Sequence, residues 1–588
     1  MYNIYFNSQY FLNFLSSLIF LSVVTLFCLC FAEFLKKKKI NIFNDSNFLS
    51  TYFLIYVIYS VIFNFSIILN LQNYLHILIY FFLIFMLAFS VNFIFKNKRD
   101  IKLKIKNLFA QYINDTNIIF LVFVLSIFFL ITILPISDAD SIAYHLNSIM
   151  HLYSYGINQT VDIFKHLEFS LISNSEILLM LSVILKSDNF GSQLNFFSLL
   201  VFFFYFINKK RLFLIILLSC PLIIFFISTQ KLQLFFALLY LFLFYVVHKR
   251  LIKSNLDIFI FIFLSVFYLS GKLSYFLFFI PLYIYFCYLN FNKIKIILLY
   301  SVFAFILIQA PILLLKFKVF GNPFSPFLTN IFIQNKDIFD AFSFSLRSSE
   351  GWLNNAQNIK LYLLPFFPTN IYKMSASLGL CFLIMLMNFN LLKKLNYIPI
   401  ICILLVLLTG QISPRYFFEC FLILAFFVNQ KNKILYFFGI SQLIGVLIIS
   451  SLFVYKSYFD LKVFKDKYDY KKNFSYHYQN SLEVKKLKLE GNILNYSQDR
   501  PNIYEDSNLF SSRFLNVKFL KDNNNEKVFL EFIKKNNIKY IIAYKKLDLL
   551  SCLDLKNVGV INLSVARRNF LVKKNTSKSY IFKVDNKC

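Results

Sequence analysis

The sequence is short of charge and of glycine. Only 15% of its 588 residues are Asp, Glu, Lys or Arg, whereas a soluble globular chain usually has about a quarter. Glycine occurs 11 times, against 80 Phe and 37 Tyr. Such bulky residues suit helices that face lipid, although a biased codon usage would also enrich them. The two shortages exclude an ordinary soluble domain and favour a membrane protein.

Acidic residues are scarcer than basic ones. The chain has 29 Asp and Glu against 60 Lys and Arg, and its formal net charge is +31. An excess of this size raises the question of nucleic-acid binding. We reject that function, because the basic residues occur mostly in short clusters between apolar runs, which is the pattern that sets the topology of a membrane protein.

Cysteine chemistry and a cleavable leader are also missing. The nine cysteines are an odd number, which excludes a complete disulfide framework, and none has the spacing of a metal site. No signal peptide is evident, because Phe11 to Leu35 is long enough to remain as an anchor and no small-x-small site follows it. Seven cysteines are expected to be small buried hydrophobic residues: Cys28, Cys30, Cys220, Cys287, Cys381, Cys402 and Cys420.

Long apolar runs dominate residues 1–456. We predict a mainly α-helical polytopic domain with about fourteen transmembrane helices. A basic cluster follows every second run, which places these clusters in the cytoplasm and the N-terminus outside. The clusters are Lys36–Lys39, Lys96–Lys106, Lys209–Arg211, His248–Lys253, Lys293 with Lys295, Lys393–Lys394, and Lys431 with Lys433.

Residues 457–588 differ in composition from the rest of the chain. They have no run of membrane length and carry a net charge of roughly +12. Asn492–Tyr496 and Lys539–Tyr544 have the pattern of buried strands, and Lys527–Asn536 that of an amphipathic helix. We therefore predict a small α/β domain, which the alternation of the basic clusters places outside the cell.

An acidic cluster follows the apolar run Ile118–Ile136. It reads Asp138-Ala-Asp140-Ser-Ile-Ala-Tyr144-His145 and opens the first large outer loop, residues 138–188. Ionisable groups beside lipid are costly and usually functional. Ala143–Tyr155 and Ser173–Leu185 have apolar residues at helical spacing, which predicts amphipathic helices lying along the membrane surface.

Three cations are predicted on the same outer face. Lys231, Lys272 and Arg415 each lie between two apolar runs. A phosphate near hydrocarbon needs charge-assisted donors, which Lys and Arg supply. An acceptor hydroxyl or amine needs a carboxylate within reach to take its proton. This combination predicts a substrate with a lipid tail and an anionic head, with the cations at the departing phosphate.

Each candidate residue also has a structural interpretation. Asp140 could serve as the N-cap of the helix that begins near Ser141. Asp138 is either a second carboxylate of the site or a solvated acid in a loop. Tyr144 and His145, one turn further on, are candidates to support the acceptor or the loop, as is Glu176. His145 is more often a packing residue than a metal ligand. The structural interpretation of the three cations is that they lie at the membrane interface and reach out to lipid headgroups. Glu419, one turn after Arg415, would then pair with it.

The motifs resemble those of the GT-C-type membrane glycosyltransferases that use polyprenyl-phosphate sugars, such as the protein O-mannosyltransferases and the lipid A aminoarabinose transferase. Asp138 to Leu146 is similar to the acidic motif that opens their first external loop, and Gly321-Asn-Pro-Phe-Ser-Pro-Phe327 to a G-N-P-x-x-P-F segment. Arg415-Tyr416 is similar to an R-Y before a late span, and the family has an external C-terminal α/β domain. In two respects the chain departs from the pattern: about three spans precede the acidic loop instead of one, and Ser141 replaces a second acid.

The resemblance implies an inverting glycosyltransferase in a bacterial inner (plasma) membrane. Asp140, helped by Asp138, would act as the base, and Lys231, Lys272 and Arg415 would hold the carrier phosphate. The expected partners are a polyprenyl-phosphate sugar, membrane lipids and a lipid, glycan or protein acceptor, but no nucleic acid. No cofactor is established, and a divalent cation remains open. A lipid-linked glycan flippase or transporter, or an O-antigen polymerase or ligase, is the alternative function.

Overall fold

The computed structural model describes most of the chain. The described residues are 10–43, 46–99, 115–136, 138, 141–156, 167–333, 336, 339–340, 363, 365–367, 377–409, 413–460, 476–495, 509–511, 526–543, 553–564 and 576–586. Asp140, and with it the predicted base, lies outside them, and so does the side chain of Tyr144. The predictions for these two side chains therefore stay predictions.

The described part of residues 1–456 is helical. Its α-helices are α1 Tyr10–Lys37, α2 Asn47–Ile68, α3 Leu75–Lys96, α4 Thr116–Thr132, α5 Asn147–Tyr155, α6 Asn174–Leu178, α7 Met180–Ile184, α8 Phe190–Phe206, α9 Arg211–Ser219, α10 Leu222–Ile227, α11 Gln233–His248, α12 Asn255–Gly271, α13 Phe276–Leu289, α14 Ile294–Ala304, α15 Ala310–Phe320, α16 Leu380–Leu386, α17 Phe389–Lys394, α18 Ile398–Leu408, α19 Phe418–Phe427 and α20 Lys433–Tyr455. Short 3₁₀ or π turns join several of them, among them Ser141–Leu146, Leu273–Tyr275 and Pro414–Phe417.

Five helices in the described residues are long and apolar enough to cross a membrane, which is compatible with an integral membrane protein. They are Leu12–Lys37, Asn47–Ile68, Gln72–Lys96, Phe291–Phe320 and Lys433–Tyr458. The other apolar runs form shorter helices, so the expected count of about fourteen spans is not confirmed. One reason is visible at Pro221, where a single apolar run is divided into α9 and α10 by extended backbone at Cys220.

The centre of the bundle is formed by α8, α11 and α19, which pack together through α11. All ten residues of α19 and nearly all of α11 are buried. Phe226, just before α11, contacts Phe418 at the start of α19 with ring centroids 4.9 Å apart, and His248 at the end of α11 contacts Phe427 at the end of α19. The two central helices therefore run parallel, with both N-termini at one end of the bundle.

The basic residues that precede and follow these helices gather at the opposite end. The Lys210 ammonium lies 5.1 Å from the ring centre of Phe426, near the end of α19. It also interacts electrostatically with Lys249 and Lys394. Helix α12 runs antiparallel to α11, since Phe267 near its end packs on Phe236. Three of the predicted cytoplasmic clusters, those around Lys210, Lys249 and Lys394, are thus at one end, and the segments that carry Lys231, Lys272 and Arg415 are at the other.

The outer-loop segments are helical as predicted, but the second one does not lie along a surface. Residues 173–185, which form α6 and α7, are buried almost throughout. The reason is Asn174, whose side-chain amide donates to Ser270 Oγ at 2.7 Å and accepts from Asn64 at 2.8 Å. These bonds join α6 to α12 and α2 inside the protein. Only the first segment, which includes α5, keeps a partly exposed face.

The C-terminal part contains the predicted sheet. Five strands, in the order β2-β1-β3-β5-β4, combine parallel β1–β2 and β1–β3 pairs with antiparallel β3–β5 and β4–β5 pairs. The predicted strands and amphipathic helix are confirmed, with their ends shifted by at most one residue. The elements are α21 Tyr476–Lys486, β1 Asn492–Asn495, β2 Leu509–Ser511, α22 Glu526–Lys535, β3 Ile538–Ala543, β4 Leu553–Ser564 and β5 Thr576–Asn586.

The close approach of α8 to the loop before α11 gives a first prediction. A Cβ on Gly191 would lie 2.6 Å from the carbonyl oxygen of Gln230 and 3.0 Å from its Cα. Backbone atoms cannot move aside as a flexible side chain does, so Gly191→Ala should destabilise the fold by about 1–3 kcal/mol. The apparent midpoint of thermal unfolding measures this effect.

Gly559→Ala is the control, because a Cβ there meets its nearest neighbour at an ordinary 3.5 Å. We expect it to unfold at the wild-type temperature. If Gly191→Ala also unfolds at that temperature, α8 does not approach the backbone of Gln230 as closely as described.

Candidate functional site

Lys231 is buried at the outer end of the bundle, with 6% of its side chain exposed. Its ammonium lies 3.4 Å from Asp138 Oδ2 and 5.0 Å from the ring centre of Phe225. A buried ammonium is costly unless it is paired, and removing one partner of a buried pair typically destabilises a protein by about 3–5 kcal/mol. Lys231 therefore does not reach out to lipid headgroups, which was its structural interpretation from the sequence.

Polar side chains of α8 fix the backbone around Lys231. Asn195 Nδ2 donates to the carbonyl oxygens of Lys231 at 2.7 Å and Phe226 at 2.9 Å, while Asn195 Oδ1 accepts from Phe235 N. The backbone N–H of Gly191 donates to Gln230 Oε1 at 2.7 Å. The turn between α10 and α11 is therefore tied to a central helix, and the position of the cation follows from it.

Asp138 is neither a solvated loop acid nor distant from the bundle. Its Oδ2 accepts from the backbone N–H of Ser141 at 3.0 Å and from Ser141 Oγ–H at 2.9 Å. Among the described residues it thus makes the capping contact that the sequence suggested for Asp140. Ser141 Oγ in turn accepts from Gln230 N at 2.9 Å. Ser141, which the sequence analysis treated only as a departure from the motif, thus joins the acidic segment to the Lys231 turn.

His145 and Glu176 form a second buried contact in the same loop. His145 Nδ1 lies 2.8 Å from Glu176 Oε1, and both side chains are at most one-tenth exposed. Ser173 donates to the other carboxylate oxygen, and Ser175 donates to Oε1 at 3.0 Å. The carboxylate accepts, so Nδ1 carries the proton and Nε2 has the lone pair. Glu176 is thus the orienting partner of His145.

The charges around this pair set its protonation. Burial lowers the pKa of His145, and the nearby Lys231 lowers it further. The hydrogen bond to Glu176 and the negative charges of Glu176 and Asp138 act in the opposite direction, but the pKa stays below its usual value. Burial alone would raise the pKa of Glu176, but the hydrogen bond and charge of His145 and the two serine hydroxyls outweigh it and hold that pKa below its usual value. At neutral pH the pair is therefore a neutral imidazole donating to a carboxylate. We call Asp138, His145, Glu176 and Lys231 the acidic-loop cluster.

The other two predicted cations lie together. The Lys272 ammonium is 4.9 Å from the ring centre of Tyr416, and the Arg415 guanidinium carbon is 5.1 Å from the same ring. The 3₁₀ turn Pro414–Phe417 presents Arg415 and Tyr416 at the start of α19, and Lys272 directly follows α12. We call Lys272, Arg415 and Tyr416 the Tyr416 cluster.

Two contacts connect the acidic-loop and Tyr416 clusters. Ser173 Oγ also lies 2.6 Å from the carbonyl oxygen of Gly271, the residue before Lys272, so its single hydrogen is shared between that oxygen and Glu176. Tyr275 lies near the Glu176 carboxylate and lines one cleft with Arg415 and Tyr416. The sequence analysis predicted that the three cations would share one site, and the structure brings all three to connected segments at one end of the bundle.

The Gly-Asn-Pro segment after α15 reaches the same region. Asn322 Nδ2 donates to the carbonyl oxygen of Phe327 at 2.8 Å, and Asn322 Oδ1 accepts from Phe324 N at 2.8 Å, so the side chain of Asn322 holds this segment in a turn. Lys316 Nζ donates to the carbonyl oxygen of Ser325 at 3.4 Å and interacts electrostatically with Glu176. Lys316 is a fourth cation near the acidic loop.

The polar residues that hold the site together were not predicted from the sequence. No structural role was assigned there to Ser141, Gly191, Asn195 or Gln230. Their signal was present, since Asn195 stands inside an apolar run where a buried amide needs hydrogen-bond partners. In the described residues no three His, Cys, Asp or Glu side chains are grouped to hold a metal ion. The seven cysteines expected in apolar runs are unpaired thiols, six of them buried.

The depressed pKa of His145 gives a prediction about stability and pH. Below about pH 6.5 the unfolded chain binds a proton at this histidine, whereas the folded protein does so only at lower pH. The stability should therefore fall as the pH is lowered from 7.5 to 5.5. This one histidine can change the free energy of unfolding by at most about 1.4 kcal/mol per pH unit, which corresponds to one proton. Glu176, whose pKa is also lowered, adds to the loss only at more acidic pH.

The measurement compares unfolding midpoints of wild type and His145→Gln between pH 7.5 and 5.5. We expect a shallower fall for the variant, because Gln can still donate to Glu176 but does not titrate. His76→Gln, at an exposed position, should keep the wild-type slope. Equal slopes for wild type and His145→Gln would show that His145 is not held neutral by burial.

No protein family, no curated protein and no solved structure matches this chain. The resemblance to GT-C-type transferases rests on the short motifs at 138–146, 321–327 and 415–416. Each of these motifs has described residues at the outer end of the bundle.

Proposed function

We propose that this protein is a membrane glycosyltransferase that moves a sugar from a polyprenyl-phosphate carrier to an acceptor on the extracytoplasmic side. The observation that carries the proposal is the burial of Lys231 against Asp138 in the acidic motif. Cations and carboxylates are assembled here inside an apolar bundle, where each is costly. A lipid phosphate that carries a sugar has the charge and the hydrocarbon tail that fit such a place.

The Tyr416 cluster supports a role for cations in holding the phosphate. Arg415 offers a planar fork that matches two phosphate oxygens, whereas Lys272 and Lys231 act as point charges. The Tyr416 ring holds Lys272 and Arg415 near one another, although both are positive. A bound phosphate between them would offset that repulsion. It would also gain charge in the transition state, when the bond to the sugar breaks, and preorganised cations stabilise this change.

The acidic segment supplies the other half of the chemistry. The acceptor hydroxyl or amine attacks the anomeric carbon of the sugar, and the bond from that carbon to the phosphate oxygen breaks. The electron pair stays on the phosphate, and the proton of the acceptor goes to a carboxylate. We assign this role to Asp140, with Asp138 holding Ser141 and Lys231 in place. One displacement inverts the configuration at the anomeric carbon.

The proposed topology places this site outside the cell. About fourteen apolar runs would cross the membrane, and they include the five long helices. The end that carries Lys210, His248 and Lys394 would face the cytoplasm, as the positive-inside rule requires. The end with the acidic-loop and Tyr416 clusters, together with the C-terminal sheet, would face the opposite side.

Transfer of a labelled sugar tests the proposal. Purified protein in liposomes is incubated with a panel of radiolabelled polyprenyl-phosphate sugars and a membrane extract as acceptor source, and the released carrier is measured. Asp140→Asn keeps the shape and capping capacity of the side chain but removes the base, so it should lower the rate by about a hundredfold or more.

Asp585→Asn makes the same chemical change in a surface ion pair with Lys556, and it should keep the wild-type rate. Carrier release from no sugar in the panel would contradict the proposed function. Asp140→Asn activity within a few-fold of wild type would remove Asp140 from the mechanism.

A further inference from the structure

Glu419 is a buried acid that the proposed chemistry does not use. It lies in the first turn of α19, whose ten residues are all buried, and only 4% of Glu419 is exposed. Within the described part of the chain it forms no ion pair and no hydrogen bond to another side chain. Its carboxyl group accepts from its own backbone N–H, and Lys272 acts on it only as a nearby charge. The suggested pairing of Glu419 with Arg415 is therefore wrong. A carboxyl group buried in this way is costly unless a ligand or water satisfies it.

Glu419 lines a cleft together with two polar atoms that lack partners. Gln233 Oε1 and Ser274 Oγ are buried there, and neither has a hydrogen-bond partner among the described residues. Arg415, Tyr416 and Tyr275 complete the polar part of the lining. Two unsatisfied atoms and a buried carboxyl group, from three different segments, thus converge on one space beside the Tyr416 cluster.

The size of the cleft limits what can enter it. The volume of the cavity is about 10 Å³, which is room for roughly one water molecule. A whole sugar ring does not fit, but a single hydroxyl group does. A hydroxyl also matches the chemistry, because it both donates and accepts and can therefore satisfy a carboxylate or amide oxygen and the Ser274 hydroxyl together.

We propose that this cleft is a recognition subsite for one hydroxyl group of the sugar on the lipid phosphate, with Glu419 as its main acceptor. The inference rests on the proposed function and deepens it. The phosphate lies between the cations of the Tyr416 cluster, and the sugar hydroxyl enters the adjacent cleft. The two sites can be occupied together, because a phosphate and a hydroxyl group of the same sugar phosphate are only a few ångströms apart. The subsite selects a polyhydroxylated head over a bare phosphate. A sugar that lacks this hydroxyl leaves the cleft groups unsatisfied and is rejected.

Binding of two kinds of probe tests this subsite. The full chain, purified in a detergent without sugar, is titrated with dodecyl phosphate and with its glucose, mannose, N-acetylglucosamine and arabinose esters. Wild type should bind at least one ester more tightly than dodecyl phosphate. Glu419→Leu should fold, because an apolar side chain of similar size is often tolerated or stabilising in place of a buried polar one. The variant should bind that ester about tenfold more weakly, as expected when a hydrogen bond to a buried group is lost, and should bind dodecyl phosphate as wild type does.

Glu531→Leu, at an exposed position of α22, should bind both probes as wild type does. Unchanged ester binding by Glu419→Leu overturns the subsite, and so does an equal loss for ester and dodecyl phosphate, which would mean that Glu419 only supports the fold. If wild type binds dodecyl phosphate but no ester more tightly, the subsite is wrong while phosphate binding stands. Binding of neither probe overturns the proposed function and this inference with it.

Discussion

The burial of Lys231 against Asp138 is the constraint on which the outer end of the bundle depends. The ion pair joins the acidic loop to the turn between α10 and α11 across a distance of 3.4 Å. It is supported on both sides, since Asp138 also accepts from Ser141 and Asn195 holds the carbonyl of Lys231. Separating the buried ammonium of Lys231 from this carboxylate would be costly, so the two segments keep one arrangement.

The central helices place the other charged groups beside this pair. Because α11 and α19 run parallel and α12 runs antiparallel to them, the segments carrying Lys231, Lys272 and Arg415 meet at one end. Glu176 is drawn in by the buried α6, and Ser173 connects it to the end of α12. The site is thus assembled from helix termini that are far apart in sequence. The rigidity of the apolar bundle gives these termini their positions.

The sequence predicted the features that depend on local pattern and failed where tertiary packing decides. The strands around Leu494 and Ile541 and the helix at 526–535 follow from alternation and periodicity, and the structure confirms them. The surface position of residues 173–185 was wrong, because the bonds of Asn174 to other helices are not visible in a periodic pattern. The Lys231–Asp138 pair joins residues 93 positions apart, and no spacing rule reaches across such a distance. Charge alternation grouped the cations correctly at one end, since that rule applies to whole segments.

The most direct test of the account is to locate the phosphate. Wild-type protein in lipid nanodiscs, saturated with a dodecyl-phosphate sugar, is imaged by cryo-electron microscopy. The account predicts phosphate density at the outer end of the bundle, within hydrogen-bonding distance of at least two of Lys231, Lys272 and Arg415, with the sugar directed towards Asp140. Phosphate density elsewhere, or all three side chains turned towards lipid headgroups, would contradict it.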